Sequence, residues 1–284
     1  MSMDKLKLFH YIHIHPTLMM FIGISIITGT FVHLFIILMI VMMHELGHFF
    51  AAKLFGWRID KIMLWAFGGV LQTDEYTTRP IKEEVIVTLC GPLQHTLVFC
   101  LAYVLHWINF IPTSLLAEVI HYNVIILLFN LLPIYPLDGG RICFALLSAR
   151  LPYRQAYRSI LCFSLILAIG LMTFQLYLYP FTFTASLLLL FLIIELIKYR
   201  RNEFYIFMQF LLFRYHERQD QYKIKYINAN ENDRLIDLFT HFNRNKYHYL
   251  SLSPSAYKTE SRALYYYFRK YKHRETIGEF IYRK

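Results

Sequence analysis

The sequence predicts an α-helical polytopic membrane protein that crosses the bilayer about six times, carries a membrane-associated β-hairpin and ends in a small α+β domain. Three observations lead there. Of the 284 residues, 57% are hydrophobic and only 17% charged, whereas a soluble domain carries about 25% charge. The deficit is uneven: residues 83–140 contain no Lys or Arg, and the chain after Ile197 is rich in both. Apolar runs suited to crossing a hydrocarbon core, which takes about 20 residues per helix, recur at 14–30, 32–54, 84–108, 117–137, 158–178 and 181–198. The organisation that follows is a transmembrane domain over 1–198, a linking helix within 199–223 and a cytoplasmic domain over 224–284.

The first run is short and dotted with Gly23 and Gly29, and its partner follows at once, so the two are expected to form a tight helical hairpin. No A-x-A-like cleavage site precedes it, and the run is expected to stay as a helix. The fourth run ends between Leu132 and Leu137. Orientation follows from the cations. Lys5 and Lys7 precede the first span; Lys53, Arg58, Lys61, Arg79 and Lys82 lie between the second and third; Arg141, Arg150, Arg154 and Arg158 lie between the fourth and fifth; Lys198, Arg200 and Arg201 follow the sixth. The alternate connections carry no cation, which places both termini in the cytoplasm.

Between the second and third runs, Trp57–Thr78 alternates apolar and polar residues in places, and Phe67-Gly68-Gly69 offers a turn. A β-hairpin touching the membrane is expected there. Beyond Lys198 the pattern predicts a helix over Phe204–Arg218, a strand at Lys225–Ile227 and a helix from Asn232–Asp233. A strand at Tyr247–Leu252 and a helix over Arg262–Tyr271 follow. A unit of about 60 residues is marginal alone, and it is expected to rest on a partner surface or on a second copy of itself.

A formal net charge of +10 first suggests a nucleic-acid partner. The cations instead flank apolar runs, where they also attract anionic headgroups of the lipid bilayer, and no nucleic-acid motif is present. The four cysteines (Cys90, Cys100, Cys143, Cys162) lie in or beside apolar runs without CxxC spacing. They form neither a disulfide framework nor a thiolate metal site.

The chemistry lies in the second and fourth runs. His44-Glu45-Leu46-Gly47-His48 puts two imidazoles on one helix face, where both can bind one Zn²⁺. Glu45 then sits beside the metal and can accept a proton from the attacking water. An ionisable cluster in mid-span marks a functional site. Two histidines leave the site one protein ligand short of the usual three. Asp138, the only acid between Glu118 and Glu195, ends the apolar run beside Gly139 and Gly140, which permit close backbone approach. Its bland alternative is to cap the next helix.

Taken together, His44-Glu45-Leu46-Gly47-His48 and Asn130-x-x-Pro133-x-x-x-x-Asp138-Gly139 resemble the site-2 protease family of intramembrane metalloproteases. Gly91-Pro92-Leu93-Gln94-His95, Phe67-Gly68-Gly69 and Pro136-Leu137-Asp138-Gly139-Gly140 resemble its sporulation branch. The resemblance covers nearly the whole chain, including a tail similar to a CBS domain. It implies that His44, His48 and Asp138 bind zinc, that Glu45 is the catalytic base, and that Asn130 positions substrate or polarises its carbonyl. It also implies a substrate like a sigma-factor precursor cut near its pro-segment, in the membrane surrounding the forespore on the mother-cell side. Small membrane inhibitor proteins, and ATP at the CBS-like tail, are implied as well.

A substrate helix must unwind before attack, and the hairpin with Phe67, Gly68 and Gly69 offers strand pairing to hold it extended. Two rival classes are a metal transporter, which predicts ligands along a path across the bilayer, and an inactive scaffold, which has no use for Glu45. His13, His15 and His33 read as interfacial. Gln94 and His95 either face the cavity or bond backbone freed by Pro92. Glu118 and Glu195 mark span ends, and Tyr265–Phe268 read as core and interface of the tail.

Overall fold

In the computed structural model of the chain, residues 11–65, 68–73, 75–76, 78–178, 183–216, 223–230, 232–253, 256–269 and 277 are described. The chain divides into two compact units, Met1–Ile142 and Cys143–Lys284.

The first unit is built from strand β1 (Ile12–Ile14), helices α1 (Pro16–Ile27) and α2 (Phe31–Leu54), strands β2 (Lys61–Trp65) and β3 (Gly68–Gln72), and helices α3 (Ile81–Trp107) and α4 (Thr113–Asn130). The expected hairpin is present, with Leu64 opposite Gly69 in antiparallel register. Phe67 lies outside the described residues. The sequence did not reveal β1, three residues that pair parallel to β2 and complete a sheet of order β1-β2-β3. Ile62 and Leu71 of this sheet pack with Phe49, Ala52 and Trp57, so the hairpin is seated on the second half of α2.

Four described helices, α2, α3, α4 and Tyr153–Leu178, are long and apolar enough to cross a membrane. The 24 residues of α2 extend roughly 36 Å at about 1.5 Å each. Of the six expected spans, the first is a 12-residue apolar helix. The sixth forms the helix Phe183–Arg201, which ends in Lys198, Arg200 and Arg201. The fourth expected span stops early: α4 ends at Asn130 and residues 131–137 turn. Pro133 and Pro136 lack the N–H that an α-helix needs and disfavour helical geometry before them.

The unit exposes apolar side chains and buries a polar cluster within its apolar core. Leu93, Leu97 and Leu101 of α3 are 61%, 55% and 54% exposed, whereas His44, Glu45, His48, His95, Asn123 and Asp138 are all buried. Water would drive the opposite sorting, and a hydrocarbon surround permits this one. His33 of α2 and Glu118 of α4 pair at 3.2 Å, and His15 Nδ1 caps α1 by accepting from Thr17 N–H at 3.3 Å.

Helix α5 (Asp138–Arg150) starts in the first unit. The second unit contains α6 (Tyr153–Leu178), α7 (Phe183–Arg201), α8 (Glu203–His216), β4 (Lys223–Asn228), α9 (Leu235–Phe239), β5 (Lys246–Ser253), β6 (Ala256–Thr259) and α10 (Glu260–Arg269). The tail forms a sheet of order β4-β5-β6, parallel then antiparallel. Strand β6 was not expected; the helix foreseen over Arg262–Tyr271 begins at Glu260 directly after it. The tail is fastened to the start of α6. Tyr153 N–H donates to the Phe242 carbonyl at 2.9 Å, its ring stacks on Phe210 at 4.0 Å, and Glu203 accepts from Arg154 at 3.1 Å and Arg158 at 2.5 Å.

Within the tail, a buried ion cluster ties α8 to β5 and α10. The Arg214 guanidinium grips the Glu260 carboxylate and donates to the Lys246 carbonyl at 2.7 Å. His248 Nδ1–H donates to Glu260 at 2.7 Å, and its Nε2 accepts from Asn243 N–H at 3.0 Å. Both nitrogens of a neutral imidazole are thereby satisfied. Burial holds His248 below its ordinary pKa, against the pull of Glu260. Glu260 is also lowered: burial would raise it, but the hydrogen bond from His248 and the charge of Arg214 prevail. Both groups therefore stabilise the fold above their unfolded pKa values, and that stability is lost as pH falls, first below about 6.5 for His248 and then below about 4.5 for Glu260. Amide-exchange protection of β5 and α10 should weaken from about pH 7 to about pH 5. His248→Gln should flatten that slope.

Candidate metal centre

One turn of α2 carries His44 and His48, and their rings point to a common spot. The Nε2 atoms lie 3.1 Å apart. The same turn brings Glu45 alongside, and ligand atoms of His44, Glu45 and His48 all fall within 4.8 Å of one another. Among the described residues this is the one such group of three or more.

Asp138 reaches the same spot from the first residue of α5. Its Oδ2 is 3.1 Å from His44 Nε2 and 3.3 Å from His48 Nε2. The turns at 131–137 bring it there, and two glycines make the approach possible. A Cβ on Gly139 would collide with the Leu131 and Leu132 carbonyls, and one on Gly140 with the Ile134–Tyr135 backbone. Asp138 is the first residue of α5, and its carboxylate faces both histidines.

The donor set fits a zinc ion. His48 Nδ1 faces the Val87 carbonyl at 2.9 Å, an acceptor only, so Nδ1 carries the hydrogen and neutral His48 turns a lone pair to the centre. His44 Nδ1 is engaged by His95 Nε2 at 3.1 Å, which leaves His44 Nε2 as its inward atom. Asp138 Oδ2 is buried and receives no well-directed hydrogen bond. Three acceptors thus converge at separations of 3.1–3.3 Å. Tetrahedral coordination with bonds of about 2.0–2.1 Å spaces ligand atoms roughly 3.3 Å apart.

Helix α3 closes the other side. Gly91 faces both imidazoles, and a Cβ there would overlap the His48 and His44 rings; a Cβ on Gly47 would strike the Cys90 carbonyl. His95, one turn after Gly91, therefore faces the centre, and its Nδ1 bonds to Asn123 Oδ1 of α4 at 2.7 Å. The sequence alone leaves His95 divided between the cavity and freed backbone. Asn123 belongs to none of the sequence motifs, although an amide in the middle of an apolar helix is a signal.

Glu45 lies beneath β3. A Cβ on Gly69 would come within 2.9 Å of the Glu45 Cδ and 3.0 Å of its Oε1, so the strand passes directly over the carboxylate. Gly68 begins the same strand, with φ of 149°. Asn130 closes α4, and its Nδ2 donates to the Ile126 carbonyl at 3.1 Å.

Comparison with known proteins gives a consistent answer. The model of peptidase family M50 matches residues 32–117 and 106–173. Stage IV sporulation protein FB of Bacillus subtilis is 34% identical over 275 residues, covering 95% of this chain and 96% of that protein. The zinc metalloprotease MJ0392 of Methanocaldococcus jannaschii is 34% identical over 155 residues, 51% of this chain and 45% of that one. Among solved structures, the site-2 protease from Methanocaldococcus jannaschii aligns with a TM-score of 0.53 and 31% identity, over 66% of this chain and 89% of that chain.

The packing of α3 on the centre can be tested by adding one methyl group. Gly91→Ala should lower zinc affinity by about tenfold or more, because the imidazoles must turn away. Gly23→Ala, where a Cβ meets nothing within 4 Å, should leave it unchanged. Metal content of the purified variants after chelator challenge reads the difference.

Proposed function

The chain belongs to peptidase family M50, and from that premise we propose that it is an intramembrane zinc metalloendopeptidase that cuts a protein substrate close to the cytoplasmic face. In this reading His44, His48 and Asp138 hold the metal and Glu45 is the general base. The observation that carries it is the placement of Glu45: a buried carboxylate beside three converging acceptors and directly beneath a strand. When bound, zinc supplies Lewis-acid polarisation of the scissile carbonyl and lowers the pKa of water at the site. Glu45 accepts the proton of the attacking water and returns it to the leaving amine.

The substrate segment must be extended, since helical hydrogen bonds shield the peptide. Strand β3 is an edge of the sheet, and addition of a substrate strand there would lay the peptide above Glu45. Gly68, Gly69 and Phe67 are the hairpin residues we assign to this contact. Asn130 spends one amide hydrogen on Ile126 and keeps a second for the substrate carbonyl.

The substrate class we assign is a sigma-factor precursor whose pro-segment is removed at the membrane surrounding the forespore. The 34% identity to a stage IV sporulation protein over nearly the full length of both chains supports it. Six spans with both termini cytoplasmic complete the topology, with 1–198 as the protease domain, 199–223 as linker and 224–284 as a CBS-like domain. Nucleotide binding by that domain and control by small membrane inhibitors rest on the family resemblance alone.

Two experiments test this reading. Glu45→Gln keeps the shape but cannot accept the proton; cleavage of a co-expressed precursor should fall about a hundredfold or more, with zinc content intact. Wild-type turnover by this variant overturns the mechanism. Truncation after His216 removes the part of the tail beyond α8 and keeps α8 on α6. Cleavage of full-length precursor should then drop sharply while a short scissile peptide is cut nearly as before, because only the former depends on a raised local concentration.

A further inference from the structure

His44 has a supporting chain of side chains that spans three helices. Asn123, in the middle of α4, is fully buried, and His95 of α3 is 1% exposed. Asn123 Nδ2–H donates to the His95 backbone carbonyl at 3.0 Å. That bond orients the amide, because a carbonyl can accept only from the nitrogen side. The Asn123 oxygen is thereby turned to His95 Nδ1 at 2.7 Å. An amide oxygen only accepts, so His95 Nδ1 carries the hydrogen. Neutral His95 then presents a bare Nε2 to His44 Nδ1 at 3.1 Å, and His44 Nδ1–H must donate. The two bonds between side chains run in one direction, His44 donating to His95 and His95 to Asn123, and they leave a lone pair on His44 Nε2, facing His48 Nε2 and Asp138 Oδ2.

We infer that Asn123 and His95 are positioning residues that fix the tautomer and ring angle of His44 for metal binding. The inference rests on the metal-centre reading above and assigns it two residues beyond the ligands and the base. Reversing the chain shows what it does. If His95 carried its hydrogen on Nε2, His44 Nδ1 would accept and its own hydrogen would move to Nε2, where the metal has to bind. His48 needs no such chain, since the Val87 carbonyl settles its tautomer directly. The site therefore uses a backbone acceptor for one imidazole and a relay through two side chains for the other.

Purified full-length chain in detergent gives the test, with Zn²⁺ affinity measured by chelator competition and Co²⁺ substituted to read ligand geometry from its visible spectrum. His95→Phe fills the space but accepts nothing, and should weaken zinc about 10- to 100-fold and alter the cobalt spectrum. His95→Gln, whose amide oxygen can reach the place of Nε2, should restore affinity to within about threefold. Asn123→Leu keeps the branched outline and both imidazoles, and should resemble His95→Phe; it carries the test if His95→Phe does not fold. Wild-type affinity and spectrum in His95→Phe or Asn123→Leu overturn the relay. A loss in folded His95→Gln as large as in His95→Phe also overturns it, since packing and not hydrogen-bond direction would then be at stake. A wild-type chain with no zinc affinity would instead sink the metal-centre reading itself.

Discussion

The whole centre depends on three acceptor atoms, two imidazole nitrogens and one carboxylate oxygen, held about 3 Å apart inside an apolar helix bundle. That arrangement is unfavourable by itself. A carboxylate removed from water costs on the order of several kcal/mol unless it is paired, and lone pairs facing each other add to the cost. A divalent cation would reverse the balance, because each of the three atoms would then meet positive charge. The neighbouring helices are close-packed around these atoms. Helix α3 must come close enough to exclude water, so it presents Gly91 to the imidazoles, and Gly47 of α2 admits the backbone of α3 in return. Glycine weakens a helix by up to about 1 kcal/mol, a cost offset here by contacts that no larger residue permits.

The same rule of close approach operates twice more. Asp138 could not sit at the first turn of α5 and also touch the histidines unless Gly139 and Gly140 let that turn ride against the end of α4. The prolines that stop α4 open the route for it. On the other side, Gly69 lets the edge of a sheet lie on the Glu45 carboxylate. In each case the missing side chain brings backbone, and with it position, to a polar group that has little other means of being held in a membrane.

The second unit uses different physics. Its tail is joined to α6 by a backbone hydrogen bond, a stacked aromatic pair and an acid between two arginines. Its interior is locked by the Arg214–Glu260–His248 cluster. Breaking such a buried set by removing one member is far costlier than losing a surface pair. The orientation of α8, β5 and α10 within this unit is therefore set by charge and hydrogen-bond geometry as much as by apolar packing.

Much of this protein was determined by sequence alone. Membrane character follows from apolar run length, because the thickness of hydrocarbon is fixed. The His44–Glu45–His48 turn follows from helical spacing, a local property that needs no partner. The hairpin and most tail elements follow from alternation and turn residues for the same reason. Only the tertiary structure decided what depends on segments far apart in the chain. It paired β1 with β2, laid Gly69 over Glu45, carried Asp138 to within 3.1 Å of His44, and joined His95 to Asn123 across 28 positions. Local pattern carries no record of which helix faces which, because these contacts join segments far apart in the chain and are settled only when the helices pack.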